Sequence, residues 1–122
     1  MSFKGLIVYQ KAYKLAMKIF EITKTFPREE KYSLTDQIRR SSRSVCANIG
    51  ESYRKRQYKA HFIAKLSDAD MENSETQIWL DFALSCGYIT DAVKNELVAE
   101  SEEIGKLLFH MIEHPDKFIK FK

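Results

Sequence analysis

Hydrophobic residues recur every three or four positions through most of the chain, a spacing that predicts amphipathic helices. Four helices are predicted, over about residues 5–25, 34–55, 57–86 and 90–113, with a C-terminal tail over 115–122. Because these helices are long and the links between them are short, we expect an all-α, antiparallel up-down-up-down four-helix bundle in a single domain spanning 1–122.

Several residues that start or stop helices lie at the predicted ends. Pro27 ends the first helix, because the residue before a proline avoids helical angles. Ser33 or Thr35 is expected to cap the second helix, and Thr90 is expected to cap the fourth. Gly87 ends the third helix in the position that glycine commonly takes after a C-terminus.

Each predicted helix has one apolar side, which we expect to face the core. In the first helix this side is assigned to Leu6, Tyr9, Tyr13, Ala16, Phe20 and Thr23. In the second it is narrow and rich in serine, and consists of Ile38, Ser42, Val45, Ile49 and Ser52. In the third it consists of Phe62, Leu66, Ala69, Thr76, Leu80 and Ala83, and in the fourth of Val93, Leu97, Ile104, Leu107, Leu108 and Met111. Asn73 falls on the inner line of the third helix and would need a hydrogen-bond partner if it were buried.

The composition agrees with a helical protein of one domain. The 122 residues include only two prolines and four glycines, so long helices meet few interruptions. There is no run of about 18 apolar residues that would span a membrane. The N-terminal residues lack the features of a signal peptide, so we expect a cytoplasmic protein. Cys46 and Cys86 are isolated and are interpreted as reduced packing residues.

The net charge of +3 is modest but unevenly distributed. Seven cations and one acid lie between Arg39 and Lys59, whereas ten acids and one lysine lie between Leu66 and Glu103. Such asymmetry is typical of a protein that binds a charged partner. It is equally typical of basic and acidic helices that pair within one chain or between subunits, and the sequence leaves both interpretations open.

No arrangement of residues predicts catalysis, a cofactor or a metal site. The chain has neither a phosphate-binding loop nor a dinucleotide fingerprint. His110 and His114 share a helix face, but a metal site needs more ligands than two histidines. Glu51, with Asn48 one turn earlier, would suggest an active site only if both were deeply buried in a polar pocket.

The outward side of the second helix is the strongest functional candidate. At about 100° per residue, four arginines fall on one stripe with Ala47 and Gly50 between them. A merely solvated face does not need a glycine, which costs a helix about 1 kcal/mol relative to alanine, so we interpret the stripe as a surface for close contact. One hypothesis assigns contacts with a nucleic-acid backbone to Arg39, Arg40, Arg43, Arg54, Lys55, Arg56 and Lys59. The other assigns an interface between subunits to Arg39, Arg43, Ala47, Gly50, Asp68, Glu72, Glu75 and Trp79.

The same segment resembles a known bacterial family of four-helix bundles. The residues that carry the resemblance are Phe26-Pro27, the run LTDQIRR over 34–40, Ser44-Val45, Asn48-Ile49, Glu51, the run ETQIWL over 75–80, and the run GYI over 87–89. The family is named for proteins encoded in intervening sequences of large-subunit ribosomal RNA genes, and it is sometimes labelled "S23 ribosomal protein". It is also related to the accessory protein of diversity-generating retroelements.

The resemblance implies an up-and-down bundle that assembles as a ring-like homopentamer, and it brings no catalytic residues. In the retroelement relatives it further implies association with nucleic acid and with a reverse-transcriptase partner. Two departures concern this chain, which has Ala69-Asp70 where many relatives have a glycine-serine pair and Glu51-Ser52 where many have Glu-Gly. Together with the acidic third helix, they favour subunits that pair by charge.

We therefore expect a non-enzymatic, self-assembling bundle that contacts RNA or DNA through the basic stripe. The alternative is a structural or protein-interaction scaffold in which the same arginines form salt bridges between subunits.

Overall fold

Four α-helices account for most of the fold in the computed structural model, which describes residues 2–119. The helices are α1 (Ile7–Thr23), α2 (Leu34–Arg54), α3 (Lys59–Ser85) and α4 (Asp91–Glu113). Short 3-10 helices occur at Phe3–Gly5, Arg28–Glu30 and Pro115–Lys117. Each α-helix packs on the two helices beside it, and α1 closes the bundle by packing on α4. The predicted all-α four-helix bundle is confirmed, and within this part of the chain no helix has the length and hydrophobicity needed to cross a membrane.

The helix ends follow the capping residues, with one correction. The Thr90 hydroxyl accepts a hydrogen bond from the backbone N–H of Val93 at 3.2 Å, and Gly87 has a φ of 77°. Ser33 precedes α2, but its side chain makes no capping bond to the helix, so the predicted serine cap is wrong. Glu30 supplies the cap instead, because its Oε1 accepts the backbone N–H of Leu34 at 3.3 Å. Thr35 lies within the first turn of α2 and is buried.

The inner faces predicted for α2 and α3 are buried throughout, and those predicted for α4 are buried or half-buried. The prediction for α1 is wrong in part, because its core positions are Val8, Ala12, Leu15 and Ile19, together with the predicted Ala16 and Thr23. Tyr13 is 54% exposed. The reason is that α1 is apolar on two adjacent sides, and a spacing of three and four fits either side.

Buried polar groups fix how α3 sits against its neighbours. The Asn73 amide donates to the backbone carbonyl of Ser101 at 2.8 Å, and the Ser101 hydroxyl donates to Asn73 Oδ1 at 2.8 Å. Gln77 Nε2 donates to the same hydroxyl at 2.9 Å. On the other side of α3, the Ser41 and Thr76 hydroxyls lie 2.9 Å apart. Each group has a partner only in one register of the helices, so these bonds specify the packing as well as stabilise it.

The C-terminal segment continues against the bundle after α4. Phe118 and Ile119 are half-buried and pack against the core, and the Phe118 ring meets the His110 ring edge-to-face at 6.2 Å. Phe121 and the rest of the tail from residue 120 lie outside the described residues.

Candidate functional site

The outward side of α2 has the arrangement that its periodicity predicts, except that Gly50 is buried. Ala47 is exposed at the centre of the stripe, and Arg40, Arg43 and Arg54 are exposed around it. Arg39 is half-buried at the edge that faces α1. The exposed cations differ in how far the protein's own groups already satisfy them.

Arg40 is bound by the acidic helix of its own chain. Its Nη1 lies 3.3 Å from Glu72 Oε2, and its Nη2 lies 2.5 Å from Glu75 Oε2. Partial burial raises the pKa of Glu72, and the nearby Glu75 carboxylate adds to this effect while Arg40 opposes it. Arg40 thus holds together two carboxylates that would otherwise repel each other, which gives it a structural role between α2 and α3.

Arg39 and Arg43 both lie close to the same aromatic ring of α1. Arg39 Nε donates to Thr23 Oγ1 at 2.7 Å, and its guanidinium carbon lies 4.8 Å from the centre of the Phe20 ring. The guanidinium carbon of Arg43 lies 5.7 Å from the same ring centre. Both contacts are within the range of cation–π attraction, so the ring positions the two arginines.

The turn between α2 and α3 carries the second group of cations. Arg54 and Lys55 are exposed, and within residues 2–119 neither forms an ion pair. Arg56 Nε donates to the backbone carbonyl of Tyr53 at 2.8 Å, and Lys59 Nζ lies 3.2 Å from Asp116 Oδ1. Arg54 and Lys55 are therefore the cations of this turn that are left for an external anion.

A groove of about 770 Å³ runs between α1 and α2 beside the arginine stripe. Its walls are mainly apolar and include Tyr13, Met17, Cys46 and Ala47. Burial raises the pKa of Cys46 to about 11, so this thiol stays protonated near neutral pH and is a poor nucleophile.

Gly50 lies at one end of the groove, where the chain itself covers it. A Cβ built on Gly50 would lie 3.6 Å from two ring carbons of Phe3, and Gly50 is buried. The close neighbour of this glycine is therefore the N-terminal segment. The Phe3 ring alone explains why Gly50 is buried, without the other molecule that the sequence-based interpretation placed there.

The outer side of α3 exposes a second apolar surface, here called the α3 outer stripe and defined as Met71, Ile78 and Phe82. Their side chains are 69%, 50% and 54% exposed. Trp79 is half-buried beside the stripe, with its ring centre 5.9 Å from that of Phe82. The Trp79 indole N–H is buried and lacks a hydrogen-bond acceptor among the described residues. Sequence reasoning identified Trp79 but missed the other three, although their spacing of seven and four is that of one helix face.

The remaining candidates do not form a reactive site. Glu51 is exposed and pairs with Lys65 at 2.8 Å, while the Asn48 amide donates to the backbone carbonyl of Ser44, so these two residues line no buried polar pocket. The rings of His110 and His114 lie 4.7 Å apart. No group of three or more side chains suited to a metal occurs within residues 2–119.

Comparison with known proteins identifies the family. A family model described as "23S rRNA-intervening sequence protein" matches residues 4–110. The chain belongs to this family. Among solved structures, it is similar to a protein of unknown function from the S23 ribosomal protein family of Bacteroides thetaiotaomicron, with 36% sequence identity and a TM-score of 0.80. The match covers 87% of this chain and 98% of that protein. No curated protein sequence matches the chain well enough to count as a relative.

Membership of the 23S rRNA-intervening sequence protein family confirms the resemblance read from the sequence. The matched region, 4–110, includes the basic side of α2, the groove and the α3 outer stripe. The family name refers to where such proteins are encoded and names no reaction.

Proposed function

We propose that this member of the 23S rRNA-intervening sequence protein family is a non-enzymatic scaffold that assembles from copies of itself. The observation that carries the proposal is that α3 is apolar on both of its sides. Its inner side fills the core, and the α3 outer stripe exposes three large apolar side chains in a row. A contiguous exposed apolar patch is a recurrent mark of a protein–protein interface.

The groove between α1 and α2 offers a matching surface on a second copy. Its walls are mainly apolar, and it is bordered by cations that include Arg43 and Arg54. The α3 outer stripe is flanked by acids. One of them, Asp68, is exposed, and its Oδ2 is as far as 4.0 Å from Lys65 Nζ, so its charge is left largely available to a partner. Apolar contact in the centre with opposite charges at the rim is the usual anatomy of a specific interface.

A contact between two different surfaces generates a ring or a filament. Such a head-to-tail interface closes when the rotation between neighbouring copies divides a full turn. We propose the ring, with five copies as the family resemblance implies.

The first experiment measures the mass of the assembly. Sedimentation equilibrium of the wild-type protein should give about five times the chain mass of 14.3 kDa. Phe82→Asp should weaken the assembly by at least about 30-fold in dissociation constant, since an interface anchor contributes about 2 kcal/mol or more. Phe109→Asp is the matched control, because Phe109 is 64% exposed on α4, away from the α3 outer stripe. A monomeric wild-type protein, or a Phe82→Asp variant of unchanged mass, would refute the proposal.

We also propose a second function, association of the assembled protein with a nucleic-acid backbone. The exposed and unpaired state of Arg54 and Lys55 supports it, because nothing among the described residues neutralises them. Arg39, Arg40, Arg56 and Lys59 already bind groups of their own chain, so each has fewer donors left for phosphate than Arg54 has.

Salt dependence tests this association. Binding to a duplex and to a structured RNA should fall steeply between about 50 and 200 mM salt if phosphates are contacted. Replacing Arg54 and Lys55 together with glutamine should flatten the slope of log K against log salt by about 1.8 for a duplex. The control replaces Lys14 and Lys106, which are exposed on α1 and α4, and should leave the slope unchanged. The proposal fails if the wild type does not bind at low salt, or if both pairs of substitutions have the same effect.

Charge reversal separates the two uses of Arg43. If Arg43→Glu breaks the assembly and Asp68→Arg restores it, then Arg43 pairs with Asp68 of a second copy. If Arg43→Glu leaves the mass intact and reduces nucleic-acid binding, then Arg43 contacts phosphate. Asp68 is a better partner for this test than Glu72, because Glu72 already binds Arg40 within its own chain.

A further inference from the structure

Tyr32 is the most exposed large hydrophobic side chain among the described residues, at 84%. It lies in the link between α1 and α2 and borders an open cleft of about 540 Å³ on the outward side of α2. Lys31 Nζ lies 5.3 Å from the centre of the Tyr32 ring, so one ring face carries a cation. A tyrosine this exposed adds nothing to the core, and its position needs a different explanation.

The link that carries Tyr32 is held in place by Glu30. The Glu30 carboxylate accepts hydrogen bonds from the Ser33 hydroxyl at 2.6 Å and from the Tyr88 hydroxyl at 2.8 Å, in addition to the Leu34 N–H. These bonds, that from Ser33 foremost, lower the pKa of Glu30, so the carboxylate stays charged. Because Leu34 begins α2 and Tyr88 lies in the turn between α3 and α4, Glu30 anchors the link both to α2 and to that turn. A ring on a preorganised link loses little conformational entropy when it binds a ligand.

The cleft beside Tyr32 is lined by four cations and one acid. The cations are Lys31, Arg39, Arg40 and Arg43, and the acid is Asp36. Arg39 uses Nε for Thr23 and Nη2 for the backbone carbonyl of Phe20 at 3.5 Å, and it lies against the Phe20 ring. These contacts position the guanidinium, and its Nη1 group stays available as a donor. An exposed aromatic ring next to cations is the combination that proteins use to bind single strands, since the ring stacks on a base and the cations bind its phosphates.

We propose that Tyr32 is a stacking platform for an unpaired base of single-stranded nucleic acid, with Lys31 and Arg39 binding the adjoining phosphates. The inference rests on the proposed association with nucleic acid and adds the class of ligand and the place where a base is held. A duplex does not fit this role, because its base faces are already stacked on each other. The free face of Tyr32, opposite Lys31, receives the base.

Two oligonucleotides separate stacking from phosphate binding. One is a thymidine strand of about 12 nucleotides, within the range that single-strand-binding sites cover. The other has the same length and the same phosphates, but its bases are absent. Fluorescence anisotropy gives the affinity of each strand for the wild-type protein, Tyr32→Ala, Tyr32→Phe and the control Phe109→Ala, which removes another exposed ring, 64% exposed, from α4.

Tyr32→Ala should weaken binding of the thymidine strand by about 5- to 150-fold, the loss expected for one stacked base. It should leave binding of the abasic strand unchanged. Tyr32→Phe and Phe109→Ala should bind both strands as the wild type does. If Tyr32→Ala binds the thymidine strand as tightly as the wild type, or loses both strands equally, the stacking site is refuted and the phosphate contacts of the proposed function stand. If the wild-type protein binds neither strand nor a duplex, both proposals fail together.

Discussion

Gly50→Ala decides between two explanations of the glycine in α2. The sequence suggests that the position is kept small for another molecule. The structure instead places the Phe3 ring over it, with ring carbons 3.6 Å from the position of a new Cβ, which is an ordinary van der Waals distance. An alanine therefore fits without displacing Phe3, and we expect Gly50→Ala to stabilise the fold.

The magnitude follows from two contributions. Alanine is favoured over glycine in a helix interior by about 1 kcal/mol, because glycine loses more backbone entropy on folding. The added methyl group contacts a half-buried ring, which contributes about 0.5 kcal/mol, part of the value for a fully buried methylene. The free energy of unfolding should rise by about 1 to 1.5 kcal/mol, which for a domain of this size raises Tm by about 5 °C.

Gly105→Ala is the matched control for this measurement. Gly105 also lies inside a helix, so the propensity gain and the effect on the unfolded chain are shared. Its Cβ would lie 3.4 Å from the Asn73 amide nitrogen and 3.9 Å from an Asp70 carboxylate oxygen, so the methyl meets polar atoms and gains no apolar contact. Gly105→Ala should therefore stabilise by about 0.5 to 1 kcal/mol less than Gly50→Ala.

Thermal unfolding at one fixed protein concentration measures both variants, since an assembling protein has a Tm that depends on concentration. The assembled mass is measured in parallel. A lower Tm for Gly50→Ala, or a smaller assembly at unchanged monomer stability, would refute the packing explanation. It would show instead that another molecule must approach α2 closely at this position.

Two further predictions concern hydrogen bonds that the fold depends on. Asn73→Ala should lower the free energy of unfolding, measured in urea, by about 2 to 4 kcal/mol, because a buried serine hydroxyl and a backbone carbonyl on α4 lose the bonds that Asn73 makes and a small cavity forms. A loss below about 0.5 kcal/mol would show that water replaces the amide. Glu30 has a pKa below its ordinary value, and the hydrogen bond from the Ser33 hydroxyl is the main cause. The Glu30 carboxylate therefore contributes to the free energy of unfolding above about pH 4.5, and this contribution is lost as the pH falls through the pKa of Glu30 in the folded protein. Urea unfolding between about pH 6 and about pH 3 should therefore show a weaker pH dependence for Glu30→Gln than for the wild type, and equal slopes would contradict this.

Local signals in the sequence were enough to predict the helices. The spacing of apolar residues, the proline after α1 and the glycine after α3 act within a few residues of each other, so a single sequence contains the information. The same holds for Asn73, whose inward position predicted a partner that proved to be Ser101. Predicting which residue caps α2 was not possible in this way, because the Ser33 hydroxyl donates to Glu30, whose carboxylate accepts the Leu34 N–H instead.

The side of a helix that faces the core is harder to predict from sequence when the helix is apolar on two sides. In α1 the aromatic line of Tyr9, Tyr13 and Phe20 has the same spacing as the true core line, and the larger side chains made it the more conspicuous. Burial of the smaller line is settled by packing against α2 and α4, which lie far away in the sequence. Of the aromatic line, Tyr9 and Tyr13 then form part of the wall of the groove.

Many of the unevenly distributed charges pair with each other within the chain, and most of those that remain unpaired among the described residues are exposed to solvent. Arg40 binds two acids of α3, and Lys18 and Lys11 of α1 bind acids of α4, so much of the acidic half of the chain stabilises the bundle itself. Two exposed cations without such partners, Arg54 and Lys55, lie at one end of α2, and the cleft beside Tyr32 lies at the other. A strand that follows α2 would therefore meet cations at both ends of a helix of about 30 Å. In a head-to-tail ring this path repeats once per copy, which would let several weak phosphate contacts act together as one strong binding surface.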